Sequence, residues 1–438
     1  MRPTPDDGRA VPDGWALMPL RRLCDILSGG TPPKTIPAFW KGDIPWVSGK
    51  DLKSPRLADA KDHLSPDGLV AGSRLAPKDA VLLLVRGMGL AKDLPVAVIK
   101  CPMAFNQDIK ALVPRTELSG SFLRAAIYHS RARLLSRIVP SAHGTMTLNL
   151  DDVEAFEVHV PLDPREGNEV ARVVDLILDA IDHASQQCAT AQGLKCTAMR
   201  ALFTRGLRGE AQKETEIGPV PKSWDVIPLG SLGRIGNGST PKKNVPEYWK
   251  DGDFPWLTSA KVYDRNIVEA DHFVTATALR ECHLPQIEPG AILIAITGQG
   301  KTLGHCAVLR MRATANQHIA YIATDLERAE PSFVRGYLET QYDYFRQVGA
   351  GGGSTKGALT CAFLRSVPIP FPPTLDEQRE IVTVLDAIDR KIDIHRRKRA
   401  VLNNLFKALL HKLMTGEIRV ADLDLSALAP GEMVEAAE

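Results

Sequence analysis

The stretch with the most overt chemistry is AITGQGKT at residues 295–302, a glycine-rich run ending in Lys301-Thr302. It fits a relaxed phosphate-binding loop with alanine at the first glycine position, in which backbone amides and a lysine cradle a nucleotide. Such a loop must open directly into a helix whose N-terminal amides face the phosphates. Here it runs into LGHCAVLRM, residues 303–311, which reads as a strand, and the matching stretch VRGMGLAK at 85–92 has no Gly-Lys-Thr. ATP binding by this chain is therefore not expected. Methyl transfer to a base would call for an Asn/Asp-Pro-Pro-Tyr/Phe tetrapeptide, and PFPPT at 370–374 lacks the leading residue. Metal-assisted hydrolysis would need clustered carboxylates with a lysine, and none stands out. The seven cysteines, at 24, 101, 188, 196, 282, 306 and 361, contain no CxxC pair, so neither zinc nor a disulfide framework is expected. The reading assigns no catalytic residue, no metal ligand and no cofactor to the chain itself.

What remains is binding chemistry. The glycine loops carry Arg86 and Lys92 in one half and Gln299, Lys301, Thr302 and His305 in the other, side chains suited to phosphate or base-edge contacts with DNA. A plain hairpin loop with solvated charges competes with this reading at any one residue. A second pair of small, polar loops, PSAHGTMTLN at 140–149 and GAGGGSTKGALT at 349–360, offers His143, Thr145, Ser354, Thr355 and Lys356, whose amides and hydroxyls suit phosphates. An ordinary helix-ending turn is the alternative there. Lys50 and Lys261 follow Pro-Trp pairs and complete the candidate DNA-binding set. Trp46 and Trp256 themselves read as packing, and Asn106-Gln107 and Asn316-Gln317 as scaffold, because both halves retain them. The basic run HRRKR at 395–399 reads as a solvated face or a partner contact.

These loops recur because the chain is a tandem duplication. GWALMPLRRLCDILSGGTPPKTIPAFWKGDIPWVSGKDL at 14–52 returns as SWDVIPLGSLGRIGNGSTPKKNVPEYWKDGDFPWLTSAKV at 223–262, offset by about 209 residues. FNQDI at 105–109 answers ANQHI at 315–319, and EVHVPLDP at 157–164 answers SVPIPFPP at 366–373. The stretches 53–104 and 263–314 share a rhythm of apolar runs and Gly-Pro-Asp breaks but few residues, which predicts one scaffold with two different variable faces. VLLLV at 81–85 and AILIAI at 291–296 read as buried strands. SFLRAAIYHSRARLLSRI at 121–138 and SFVRGYLETQYDYFRQV at 332–348 each read as a helix behind a serine N-cap.

After each unit comes a long helical pattern. One seam runs through Val170, Val174, Ile177, Ile181, Ala184, Cys188 and Ala191 to Leu202, the other through Ile381, Leu385, Ile388 and Ile392 to Leu413, interrupted by His395 and Arg399. Val174, Ile177, Ile181, Ile381, Leu385, Ile388 and Ile392 are the expected helix–helix contacts. Gly206 and Gly416 close the patterns. Helices of roughly 36–40 residues would be about 55–60 Å long, more than one small domain can cover, so they are expected to pair antiparallel as a ruler between two half-sites. At 438 residues the chain exceeds a single core. Its formal charge of +2 argues for no partner by itself, and its N-terminus, rich in Pro, Asp and Gly, lacks signal-peptide features, so a cytoplasmic protein without membrane contact is expected.

Taken jointly, GGTPP at 29–33, GSTPK at 238–242, the Pro-Trp anchors, GGSTKGALT at 352–360 and IPFPPTLDEQREIV at 369–382 resemble the specificity subunits of Type I restriction-modification systems over nearly the full length. The first half departs at VPLDPREGNEVARVV, 160–174, with no counterpart of Glu377-Gln378. The resemblance implies an α+β chain: two β-rich globular target recognition domains joined by two long α-helices in an antiparallel coiled coil, pseudo-two-fold from the duplication. The expected divisions are a first recognition domain at 1–165, a central helix at 166–208, a second domain at 209–373, a C-terminal helix at 374–418 and a tail at 419–438. It further implies a non-catalytic subunit whose domains each read half of a bipartite, asymmetric site in double-stranded DNA, while the helices set spacing and dock two methyltransferase subunits. S-adenosylmethionine would belong to the methyltransferase, and ATP and magnesium to a restriction/translocase subunit. A duplicated protein-binding scaffold without DNA readout is the alternative.

Overall fold

The computed structural model describes residues 11–115, 117–140, 144–298, 301–351 and 358–425. By contacts the chain divides into two compact units. Residues up to Ser185 join those from Arg396 onward in unit 1, and Gln186–His395 form unit 2.

In unit 1, β1 (Cys24–Ser28), β2 (Arg56–Leu57), β3 (Val81–Leu84), β4 (Val96–Ile99) and β5 (Ile109–Pro114) form a sheet in the order β1-β5-β3-β4-β2. In unit 2, β6 (Gly233–Asn237), β7 (Asn266–Ile267), β8 (Ile292–Ala295), β9 (Cys306–Leu309) and β10 (Ile319–Thr324) repeat it as β6-β10-β8-β9-β7. The aliphatic runs behave as fully buried strands should: all four residues of β3 and of β8 are buried. Lys301-Thr302 leads into β9 and not into a helix, so the context a nucleotide loop requires is missing.

Beside each large sheet lies a smaller one, built from Ile44–Val47, Asp62–Leu64, Leu75–Ala76 and Met103–Phe105 in unit 1 and from Phe254–Leu257, His272–Val274 and Thr314–Ala315 in unit 2. The retained sequence anchors meet here. A side chain at Gly29 would sit 2.2 Å from the Phe105 carbonyl oxygen, and one at Gly238 1.9 Å from that of Ala315, so each Gly-x-Thr-Pro turn needs glycine for close backbone approach. Trp46 donates its indole N–H to the Gly30 oxygen and Trp256 to that of Ser239, both at 3.0 Å, and both rings are buried. Asn106 and Asn316 are likewise buried, each accepting from the backbone amide two residues on. Packing and scaffold roles fit these residues.

The medium helices differ from the sequence reading. Gly120–His129 is capped by Ser119, and a break at Ser130 separates it from Arg131–Leu135. In unit 2 the cap is Glu330, not serine: Pro331 opens the helix, Ser332 lies inside it, and a break at Gln341 precedes Tyr342–Gly351. Proline pre-sets the first helical residue, which moves the start upstream of the serine.

The two long helices are α1 (Pro164–Arg205, 42 residues) and α2 (Leu375–Met414, 40 residues), ended by left-handed glycines at Gly206 (φ 63°) and Gly416 (φ 71°). Each contributes to both units. Val170, Val174, Ile177 and Leu178 of α1 share the unit 1 core with Phe406, Leu409, Leu410 and Leu413 of α2, and Ile181 packs against it. In unit 2, Met199, Leu202 and Phe203 join Ile381 and Leu385 in the core, while Cys188 and Ala191 meet Ile388 and Ile392. The first half of one helix thus pairs with the second half of the other, which is antiparallel, and the seam doubles as a wall of each globular core. Each aliphatic side chain so buried contributes about 1.5–3 kcal/mol.

Basic side chains tie each sheet edge to a helix. Arg56 of β2 reaches Asp179 and Asp182 of α1, both at 2.5 Å, while Arg265 beside β7 reaches Asp389 at 2.5 Å and Asp393 at 2.8 Å on α2. Lys195 of α1 adds a contact to Asp389 at 3.0 Å.

Candidate nucleic-acid interface

The glycine-rich loop and the small polar loop of each copy, separate in sequence, meet at their described flanks. In unit 1 the Gly87 amide donates to the Met146 oxygen at 2.9 Å and that of Leu148 to Val85 at 2.8 Å, which bridges Arg86 to Thr147. In unit 2 Leu359 donates to Ile296 at 2.8 Å and Thr297 bridges to Ala358. One surface per unit therefore carries both candidate segments, at equivalent places on the sheet.

On the unit 1 surface Arg86 and Lys92 are exposed and Thr145 is half-buried. Among the described residues Arg86 and Lys92 make no ion pair, so their charges are available to an outside anion. Lys50 instead holds Asp62 at 2.6 Å, and that carboxylate raises its ammonium above the ordinary lysine range. His143, Gln299, Ser354, Thr355 and Lys356 lie outside the described residues.

On the unit 2 surface Lys301 is exposed, and its carbonyl oxygen accepts from the Tyr342 hydroxyl at 2.7 Å. Thr302 shares a 3.0 Å hydrogen bond with the Tyr263 hydroxyl. His305 is clasped between the Tyr263 and Tyr342 rings, each centroid 4.6 Å away, and this burial pushes its pKa below the usual histidine value. Arg346 donates to the Tyr342 hydroxyl at 2.8 Å. Lys261 is placed differently: only 8% exposed, it lies 3.3–3.6 Å from Asp264, Glu269 and Asp271, so its charge is met within the chain.

Sequence reasoning missed the tyrosine clasp and one hydrogen-bonded chain. Thr240 donates to Gln317, whose amide bonds His318 at 3.2 Å, and His318 bonds Thr297 at the base of the glycine loop. Thr240 and Gln317 were visible as retained residues, whereas their link to the loop arises only through the sheet.

The departure in the first half also resolves. Trp15 donates to Glu166 at 3.2 Å, as Trp224 does to Glu377 at 3.2 Å. Gln378 accepts from the Glu330 amide at 2.8 Å and donates to the Arg328 oxygen at 3.1 Å; Asn168 does the same with Ser119 and Glu117, both at 3.0 Å. The Glu-Gln function is therefore kept, by Glu166 and by an asparagine one position later. Gly167 occupies the glutamine's place because a side chain there would meet Leu118 at 2.5 Å.

Among the described residues no group of three or more His, Cys, Asp or Glu is placed to hold a metal ion, and no helix is long and apolar enough to cross a membrane.

Fold and loops together define a tandemly duplicated α+β protein in which two equivalent units present paired variable loops. Residues 221–404 match the family described as the Type I restriction modification DNA specificity domain. The specificity subunit of the Type I restriction enzyme MjaIX from Methanocaldococcus jannaschii is 22% identical over 427 residues, 94% of this chain and 95% of the relative. That of EcoR124I/EcoR124II from Escherichia coli is 33% identical over 159 residues, 35% of this chain and 37% of the relative. A crystal structure of a Type I S subunit from M. genitalium shares the fold with a TM-score of 0.60 at 14% identity, covering 94% of this chain and 98% of that one. The second half of the chain thus matches the Type I restriction modification DNA specificity domain, and over nearly its full length the chain is similar to Type I specificity subunits.

Proposed function

We infer that this chain is the DNA-reading subunit of a Type I restriction-modification complex, with each unit recognising one half of a bipartite, asymmetric site in double-stranded DNA. The observation that carries the reading is the repeated pairing of a glycine-rich loop with a small polar loop at the end of the central strand of each sheet, with the scaffold kept and the loop chemistry changed. Arg86 and Lys92 in unit 1 and Lys301 and Thr302 in unit 2 would supply phosphate and base-edge contacts. The chain itself does no chemistry in this reading. Two methyltransferase subunits dock on the long helices and bring S-adenosylmethionine, a restriction/translocase subunit brings ATP and magnesium, and the helices set the spacer between half-sites. The complex works in the cytoplasm, where host DNA is.

The test is co-purification with the neighbouring methyltransferase, then single-molecule sequencing of methylated host DNA with and without this chain. A split, asymmetric methylation motif that disappears without the chain is expected. An unchanged methylome would overturn the assignment in favour of a protein scaffold.

A further inference from the structure

The duplication supplies an internal comparison at the mouth of each loop pair. Backbone pairing sets Leu84 opposite Ile109 and Ala295 opposite Ile319, so Arg86 and Thr297 are equivalent, as are Asp108 and His318. Trp46 pairs with Asp62, and Trp256 with His272, which makes those two equivalent as well. Three neighbouring positions thus change together, from Arg86, Asp108 and Asp62 to Thr297, His318 and His272. The scaffold around them does not change: each Trp keeps its backbone bond, and Thr31 bonds Gln107 at 2.6 Å as Thr240 bonds Gln317. In unit 2 His272 and His318 line one cavity of about 480 Å³ floored by Trp249 and Trp256.

We propose that these three positions are the specificity determinants of the two units, and that Arg86 and Asp108 together read a G·C base pair in the half-site of unit 1. This rests on the DNA-reading function inferred above. Phosphates are the same in every sequence, so side chains that only hold the backbone have no reason to differ between copies. A carboxylate facing a phosphate would also be repelled. In a groove, by contrast, acceptor-only oxygens suit the N4 amino group of cytosine, and an arginine fork suits N7 and O6 of guanine. Asp108 sits where this needs it: its backbone oxygen accepts from the Val85 and Arg86 amides at 2.9 and 3.3 Å, and the Asn106 amide steadies one carboxylate oxygen at 3.2 Å. In unit 2 the same place holds Thr297 and His318 instead of an arginine and a carboxylate. His318 is fixed between Gln317 and Thr297, leaving threonine, imidazole and amide groups that each donate or accept. Unit 2 therefore takes a different base step with the same backbone.

The experiment is selection from a randomised duplex pool by the full chain in complex with its methyltransferase, with the bound sequences read out. Asp108→Asn keeps shape and removes the acceptor-only character, Arg86→Gln removes the fork, and His318→Asp with Thr297→Arg transfers unit 1 chemistry to unit 2. The wild-type motif should carry a G·C pair whose preference falls about tenfold or more in either unit 1 variant while the other half-site is unchanged. The unit 2 double variant should gain a G·C preference in its own half. An unchanged motif in all variants, or a uniform loss of affinity with the motif retained, overturns the inference and leaves these residues as structural or phosphate contacts. If the wild-type complex selects no motif, the DNA-reading function falls with it.

Discussion

Gln378 and Asn168 make the same two hydrogen bonds in the two copies at very different depths, which turns one substitution into a test of burial. Gln378 is 0% exposed, whereas Asn168 is exposed. In Gln378→Leu the Glu330 amide and the Arg328 oxygen lose a partner that is itself fully buried. Each unsatisfied buried group costs about 1–3 kcal/mol, so unit 2 should lose about 2–6 kcal/mol. In Asn168→Leu water takes over both bonds, and unit 1 should lose about 1 kcal/mol or less. At a slope of roughly 2 kcal/mol per molar urea, the unit 2 midpoint falls by about 1–3 M and that of unit 1 by less than about 0.5 M. Hydrogen exchange of peptides from each unit across a urea series reads the two separately. Equal losses, or a larger loss for Asn168→Leu, would refute the argument that depth and not bond count sets the cost.

Arg265→Met leaves Asp389, 7% exposed at its side chain, with Lys195 as its remaining charge partner among the described residues, and should cost up to about 3 kcal/mol; Arg56→Met frees Asp179 and Asp182, which are 67% and 58% exposed, and should cost about 1 kcal/mol or less, both measurable by urea titration. Burial, aided by the His411 and His159 rings, lowers the His129 pKa from 6.5 to about 4, so the unfolded chain binds the extra proton between those values. Unit 1 should thus hold this contribution above about pH 6.5 and lose it as pH falls toward about 4, and His129→Gln should flatten that slope in a pH series of denaturation curves. Exchange of residues 53–150 with those of a similar Type I specificity subunit should change one half-site of the methylation motif and leave the other intact. Cys24 and Cys306, buried and with thiols pushed up to about 12, should resist alkylation in the native protein while exposed Cys196 reacts, as mass spectrometry would show.

The anchors of the duplication were legible because each is held by a contact that tolerates little change. Gly29 and Gly238 lie against carbonyl oxygens, and the buried indoles of Trp46 and Trp256 need a fixed acceptor. The long helices were legible from their apolar period, but a stripe does not name its partner: Val174 and Ile177 face a globular core as much as a helix. The candidate site was legible only in part. Glycine and basic residues marked the first loop of each copy and small polar residues the second, yet their pairing depends on long-range backbone bonds that spacing does not carry. Lys261 beside Trp256 looked available from sequence, and three carboxylates up to ten residues away close around it in the fold. The replacement of Gln378 by Asn168 was hidden for the same reason, since a side chain's reach from a neighbouring position is set by helix geometry.

Unit 1 is assembled from two stretches of chain, and its core takes Phe406, Leu409, Leu410, Leu413 and Met414 from α2, with Gly416 packed against Pro12. During synthesis those residues leave the ribosome only after all of unit 2. The first-made unit must therefore wait, its apolar face open, while all of unit 2 is translated and free to fold. A nascent chain arrested before Arg396 holds the second unit's residues complete and the first without its closing helix, so of the two units the one made first is the last to become stable.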